Sequence, residues 1–87
     1  MSRKLEFRPS AFKHGYTKQD VDAVIYGLLT KTFEAGTGEI GWRLLFVGFN
    51  NSPELLEILI ECCEDGREVC FHIDKATGES CRLYERA

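Results

Sequence analysis

No apolar run in the 87 residues approaches the ~20 that a membrane-spanning helix needs, and no signal peptide precedes the first elements. The sequence therefore predicts one soluble domain in the cytoplasm. Internal repeats and low-complexity segments are also missing, which excludes a solenoid or a disordered tail. The four cysteines, at 62, 63, 70 and 81, form no C-x-x-C pair. Cys62 and Cys63 are adjacent in a strand and point to opposite faces, a poor basis for a disulfide framework or a zinc site. They read as reduced thiols filling space. Three glycines lie between Gly36 and Gly41, yet no GxxxxGK[ST] pattern or following helix makes that loop a phosphate cradle. Positive charge is scarce too, with 11 Lys and Arg against 14 Asp and Glu. That balance argues against a dedicated nucleic-acid binder and leaves at most a basic patch. Residues 1–18 could supply it, carrying Arg3, Lys4, Arg8, Lys13 and Lys18 against Glu6 alone.

What is present is 44% hydrophobic residues, enough for one compact core. The strongest pattern is Glu54 to Asp74, two alternating apolar runs around Asp65-Gly66. A two-residue turn there, with positive φ at both positions, predicts a hairpin pairing Ile58 with Ile73, Ile60 with Phe71 and Cys62 with Val69. Those side chains share one face. Glu57, Leu59 and Glu61 then share the other with Asp74, His72 and Cys70.

Around this hairpin the chain reads as α+β. Lys4–Arg8 is a short strand broken by Pro9-Ser10, and Ala11–His14 a turn of helix stopped by Gly15. Thr17 and Asp20 form an N-terminal cap, and Val21, Val24, Ile25 and Leu28 give a helical stripe, predicting a helix over 18–29. Thr30–Ala35 reads as an edge strand. Trp42–Phe49 is apolar on both faces, as in a central strand, and an odd-length link to the hairpin sets Arg43 beside Glu61. The tail, Lys75–Arg86, reads as a short helix. The expected architecture is a small antiparallel sheet of three to four strands, with one or two N-terminal helices packed on one face and a short C-terminal helix.

Two features bear on function. Cys70, His72 and Asp74 alternate on one strand opposite Glu57 and Glu61, a set that could ligate a transition metal. The plainer reading pairs His72 with a carboxylate, leaves a cation such as Lys75 or Arg43 to relieve Glu57 against Asp74, and assigns no metal or cofactor. Leu45, Val47, Phe49, Leu55 and Leu59 form an apolar second face that a short tail helix would not fully cover. This predicts a protein partner or a homodimer.

Three fragments together resemble the BrnT toxins, small ribonucleases of the RelE superfamily from bacterial toxin–antitoxin pairs. They are Lys13-His14-Gly15 ahead of a helix, Arg43-Leu44-Leu45-Phe46-Val47, and Lys75-Ala76-Thr77 followed by Arg82-Leu83-Tyr84-Glu85. With the element order, the resemblance spans nearly the whole chain. It implies metal-independent RNA cleavage by 2′-OH attack, neutralised by a partner antitoxin. The matching catalytic residues would be Lys13, Arg43, Lys75, Arg82 and Tyr84, with Lys13, His14 and Arg82 binding RNA and His72 as a further titratable group. Asp74 departs from the family, which usually carries an arginine at the end of the last strand. The alternative reading is a catalytically inactive relative that acts as a protein-interaction module.

Overall fold

The computed structural model describes residues 4–87, so Arg3 of the basic segment lies outside the described residues. Five strands and two helices follow one another: β1 (Leu5–Phe7), a 3-10 turn (Pro9–Phe12), α1 (Lys18–Ile25), β2 (Lys31–Thr37), β3 (Gly41–Phe49), β4 (Leu55–Cys63), β5 (Glu68–Lys75) and α2 (Gly78–Arg86). The sheet order is β1-β5-β4-β3-β2. This corrects the expected sheet on two counts. It has five strands rather than three to four, and it is mixed, because β1 runs parallel to β5 with Leu5 opposite Glu68 and Phe7 opposite Cys70. A three-residue strand carries too few alternations to announce its partner, and that partner lies at the far end of the chain.

The register of β3 on β4 is the expected one. Leu44 faces Ile60, Phe46 faces Ile58, and Arg43 lies opposite Glu61 on the other face. The β4–β5 ladder differs. Near the far end Ile58 pairs with Ile73 and Glu57 with Asp74 as predicted, but closer to the turn Ile60 pairs with Cys70 and Cys62 with Glu68. The turn is the cause. Its loop is Glu64-Asp65-Gly66, closed by Cys63 N–H to the Arg67 carbonyl at 2.8 Å, and only Gly66 takes positive φ, at 91°. A three-residue loop shifts the ladder by one, and a bulge at Phe71 shifts it back. Phe71 and His72, consecutive in sequence, consequently lie towards the same face.

α1 begins as expected. Thr17 accepts from the Asp20 N–H while the Asp20 carboxylate accepts from the Thr17 N–H, a reciprocal cap. It ends at Ile25, four residues earlier than the stripe suggested. The Gly27 N–H and the Thr30 hydroxyl both turn back onto the Val24 carbonyl, satisfying the helix end there. Leu28, counted in the stripe, falls outside the helix and is fully exposed.

The core lies between α1 and one face of the sheet. Val21 and Val24, with Ala11 of the 3-10 turn, bury against Phe46, Leu56, Ile58, Ile60, Cys70 and Ile73. Each aliphatic side chain of that size contributes roughly 1.5–3 kcal/mol on full burial. α2 crosses the opposite face. Its last turn is tied to β2 by the Lys31 ammonium, which donates to the Tyr84 and Ala87 carbonyls at 2.7 Å each. Lysine at a helix C-terminus also meets the negative end of the helix dipole. Among the described residues, no helix is long and apolar enough to cross a membrane.

Candidate functional site

α2 begins over Glu57, a carboxylate that is only 7% exposed in the middle of β4. Such a group is tolerated because three neighbours donate to it. One oxygen accepts from the Thr77 N–H at 2.7 Å and the Ser80 hydroxyl at 2.9 Å, and the other lies 2.8 Å from His72 Nε2. Burial pushes the Glu57 carboxyl up, but the hydrogen bonds from Thr77, His72 and Ser80 together outweigh it and hold the group below its ordinary 4.5. Ionised, Glu57 only accepts, so His72 Nε2 carries the proton and Nδ1 of the neutral ring keeps a lone pair.

The second histidine comes from the opposite end of the chain. The 3-10 turn packs beside β5 where β1 stops, and Gly15, at φ 89°, turns the chain away towards α1. His14 therefore sits over the end of β5, with Nε2 3.5 Å from Asp74 Oδ2. Its ring meets that of His72 edge to face, centroids 6.3 Å apart. Glu57 and Asp74 lie directly across the ladder, and the cation expected to relieve them, Lys75 or Arg43, does not do so. Each carboxylate has a histidine instead. The result is two imidazoles side by side, each backed by its own carboxylate.

Next along the same face, Arg8, Ser10, Glu39, Arg43, Glu61 and Phe71 line a shallow pocket of about 220 Å³. The Arg43 guanidinium lies over the Phe71 ring, 4.7 Å from its centroid. Glu61, 3% exposed, fixes it from below: one oxygen is 3.4 Å from Arg43 Nε and the other accepts from the Ile40 N–H at 2.6 Å. The start of β3 can lie this close to β4 because Gly41 has no side chain; a Cβ there would overlap the Cys62 carbonyl.

The residues matched to the toxin motif do not all converge. Tyr84 packs edge-on against Phe49, and its hydroxyl donates to the Leu29 carbonyl at 2.7 Å. Arg43 is six residues from Phe49 along β3, roughly 20 Å at about 3.3 Å per residue. Arg82 is exposed on α2, its guanidinium folded back beside Gly78. Lys75 is exposed at the end of β5, next to Asp74, and Lys13 is exposed next to His14. Of the predicted set, His14 is one of the histidine pair and Lys13 precedes it, Arg43 lies in the neighbouring pocket, Lys75 pairs with the core residue Leu56 and so lies on the opposite face of the sheet from Asp74, and Arg82 and Tyr84 stand apart. Of the second-face apolar residues, Val47 is fully buried, Leu45, Leu55 and Leu59 are half-buried, and Phe49 remains 38% exposed.

Several members of the site carried no readable signal. Ser80 and Thr77 look like ordinary helix-start residues, and Arg8 and Glu39 like solvated charges. The His72–Glu57 pair was foreshadowed by their shared face. The approach of His14 was not, since nothing in sequence ties residue 14 to residue 72. The thiols take no part: all four are free, and burial pushes the Cys70 thiol up to about 11. Among the described residues, no group of three or more His, Cys, Asp or Glu side chains could hold a metal ion. A scan of family models and a search of curated proteins both found no match to the chain.

Proposed function

We propose that the chain is a metal-independent endoribonuclease of the toxin type, in which His14 and His72 form the acid–base pair. The supporting observation is the meeting of the chain's only two histidines, each backed by a carboxylate, on an accessible sheet face. Cleavage by 2′-OH attack needs one group to take the 2′ proton and another to protonate the leaving 5′ oxygen, and imidazole does both near neutral pH. His72 Nδ1 takes the 2′ proton, the 2′ oxygen attacks phosphorus, and the P–O5′ bond breaks as protonated His14 supplies a proton. The products are a 2′,3′-cyclic phosphate and a 5′-hydroxyl. Lys13, the residue before His14, offsets the charge that builds on the phosphoryl oxygens.

The toxin context and a partner antitoxin rest on the resemblance of Lys13-His14-Gly15, Arg43–Val47 and the Lys75–Glu85 segment. Tyr26, Leu28 and Leu29, exposed together after α1, favour a protein partner in either reading. They are also what supports the alternative of a non-catalytic interaction module. Purified protein incubated with RNA and EDTA should release cyclic-phosphate ends. His14→Ala and His72→Ala should each slow this by about 10²-fold or more while remaining folded. Undiminished cleavage in the double variant, or none in the wild type, refutes the reading and leaves the interaction module.

A further inference from the structure

The pocket beside the histidines has a mixed lining. Two arginines, Arg8 and Arg43, face two carboxylates, Glu39 and Glu61, with Ser10 and Phe71 completing the wall. A pocket for phosphate alone would not carry two anions, and one for an apolar ligand would not carry four charges. Two of the four already serve each other: Glu61 is buried and holds Arg43 by its Nε, with the guanidinium carbon 4.7 Å from the Phe71 ring centroid. Arg43 over Phe71 is therefore a planar platform, and nucleobases stack on both aromatic rings and guanidinium planes. Arg8 and Glu39, both exposed, are left at the rim on different elements, one a double donor and one a double acceptor.

We propose that this pocket is a nucleobase subsite that selects guanine. Guanine offers O6 and N7 as paired acceptors, the pattern an arginine fork reads, and N1–H and N2–H₂ as paired donors, the pattern a carboxylate accepts. Arg8 reads the first edge and Glu39 the second, while the ring stacks on Arg43. Adenine presents an acceptor at N1 to the Glu39 carboxylate, which is repulsive, and a donor at N6 beside N7, which leaves Arg8 one acceptor of the two. Cytosine and uracil have no N7, so neither offers Arg8 the paired acceptors of guanine. A site whose polar groups are left unpaired by the wrong base rejects it strongly. The bulge at Phe71 sets this subsite one residue from His72, so the selected guanosine would neighbour the cleaved bond. As to its natural ligand, the inference rests on the ribonuclease reading, but the subsite itself can be tested without cleavage.

The test is titration of the folded protein with GMP, AMP, CMP and UMP, followed by NMR shifts of Phe71 and the Arg43 Nε–H. GMP should bind at least tenfold tighter than the other three. Glu39→Gln, an exposed substitution with no core contact, should erase the preference, and Arg8→Ala should weaken GMP at least tenfold. Equal binding of all four nucleotides, no binding, or a GMP preference untouched by Glu39→Gln overturns the subsite. On RNA, cuts should cluster next to guanosine, and His72-dependent cleavage with no guanosine bias overturns the subsite while sparing the ribonuclease. Selective GMP binding without any cleavage supports the subsite and refutes the ribonuclease.

Discussion

Replacing Glu57 should damage stability and activity in separable ways. In Glu57→Ala the Ser80 hydroxyl and the Thr77 N–H lose the acceptor they share, and His72 loses its orienting partner. A buried donor left unsatisfied costs about 1–3 kcal/mol, so two of them make a loss of roughly 3 kcal/mol. For a domain of this size that corresponds to a fall in Tm of roughly 15 °C. Glu57→Gln keeps an acceptor for α2 but turns an amide N–H₂ towards His72 Nε2, which forces the other tautomer. Its stability cost should be about 1 kcal/mol, while cleavage falls by about 10²-fold. The two losses should also respond to pH differently. The Glu57 carboxyl is held below its ordinary 4.5, so its ionised form stabilises the fold fully above that value and ceases to do so as pH falls through the lower folded value. Urea unfolding at pH 7 and near pH 4 should therefore show the gap between wild type and Glu57→Gln narrowing on acidification. A Glu57→Ala protein within 0.5 kcal/mol of wild type, or a gap that widens as pH falls, would refute the account of how α2 is held.

Three further outcomes are expected. Tyr84→Phe removes a hydroxyl bonded to the Leu29 carbonyl, so it should cost about 1 kcal/mol in urea unfolding and leave cleavage unchanged; a rate loss of tenfold would restore Tyr84 to the catalytic set. Gly41→Ala places a Cβ against the Cys62 carbonyl and should destabilise by about 1–3 kcal/mol or prevent folding, seen as loss of the thermal transition. All four cysteines should react with a thiol reagent in denaturant without prior reduction, with Cys70 the slowest in the native protein, and any protected pair would contradict the free thiols.

The parts of the fold legible in sequence were those set by strong local patterns. The cap at Thr17, the β3–β4 register and the placement of Arg43 beside Glu61 all follow from alternation or from a short motif. The turn at Asp65-Gly66 was legible as a turn but not as a type, because Gly66 alone satisfies either a two- or a three-residue loop. That difference of one residue produced the bulge at Phe71. The pairing of β1 with β5 and the meeting of His14 with His72 are long-range events with no periodic signature. The candidate site joins the two kinds: its His72–Glu57 and Arg43–Glu61 pairs follow from strand alternation, whereas the approach of His14 and of Arg8 is long-range and gave no signal. Tyr84 shows the converse: a residue matched through a motif was taken up by a backbone carbonyl of a loop 55 positions away.

The parallel edge formed by β1 also constrains how the protein is made. Leu5 pairs with Glu68, so β1 must wait for a strand 63 residues further along the chain before it has a neighbour. Until then it remains an unpaired extended segment, as does the edge of β5 that will receive it. The β3–β4–β5 meander has only short loops to close and can form early, whereas docking of β1 carries the largest loop-closure entropy in the chain. The 3-10 turn that follows β1 leads into His14, so the two imidazoles come together only at that last step. The nascent chain is thus folded in its centre before the two histidines meet.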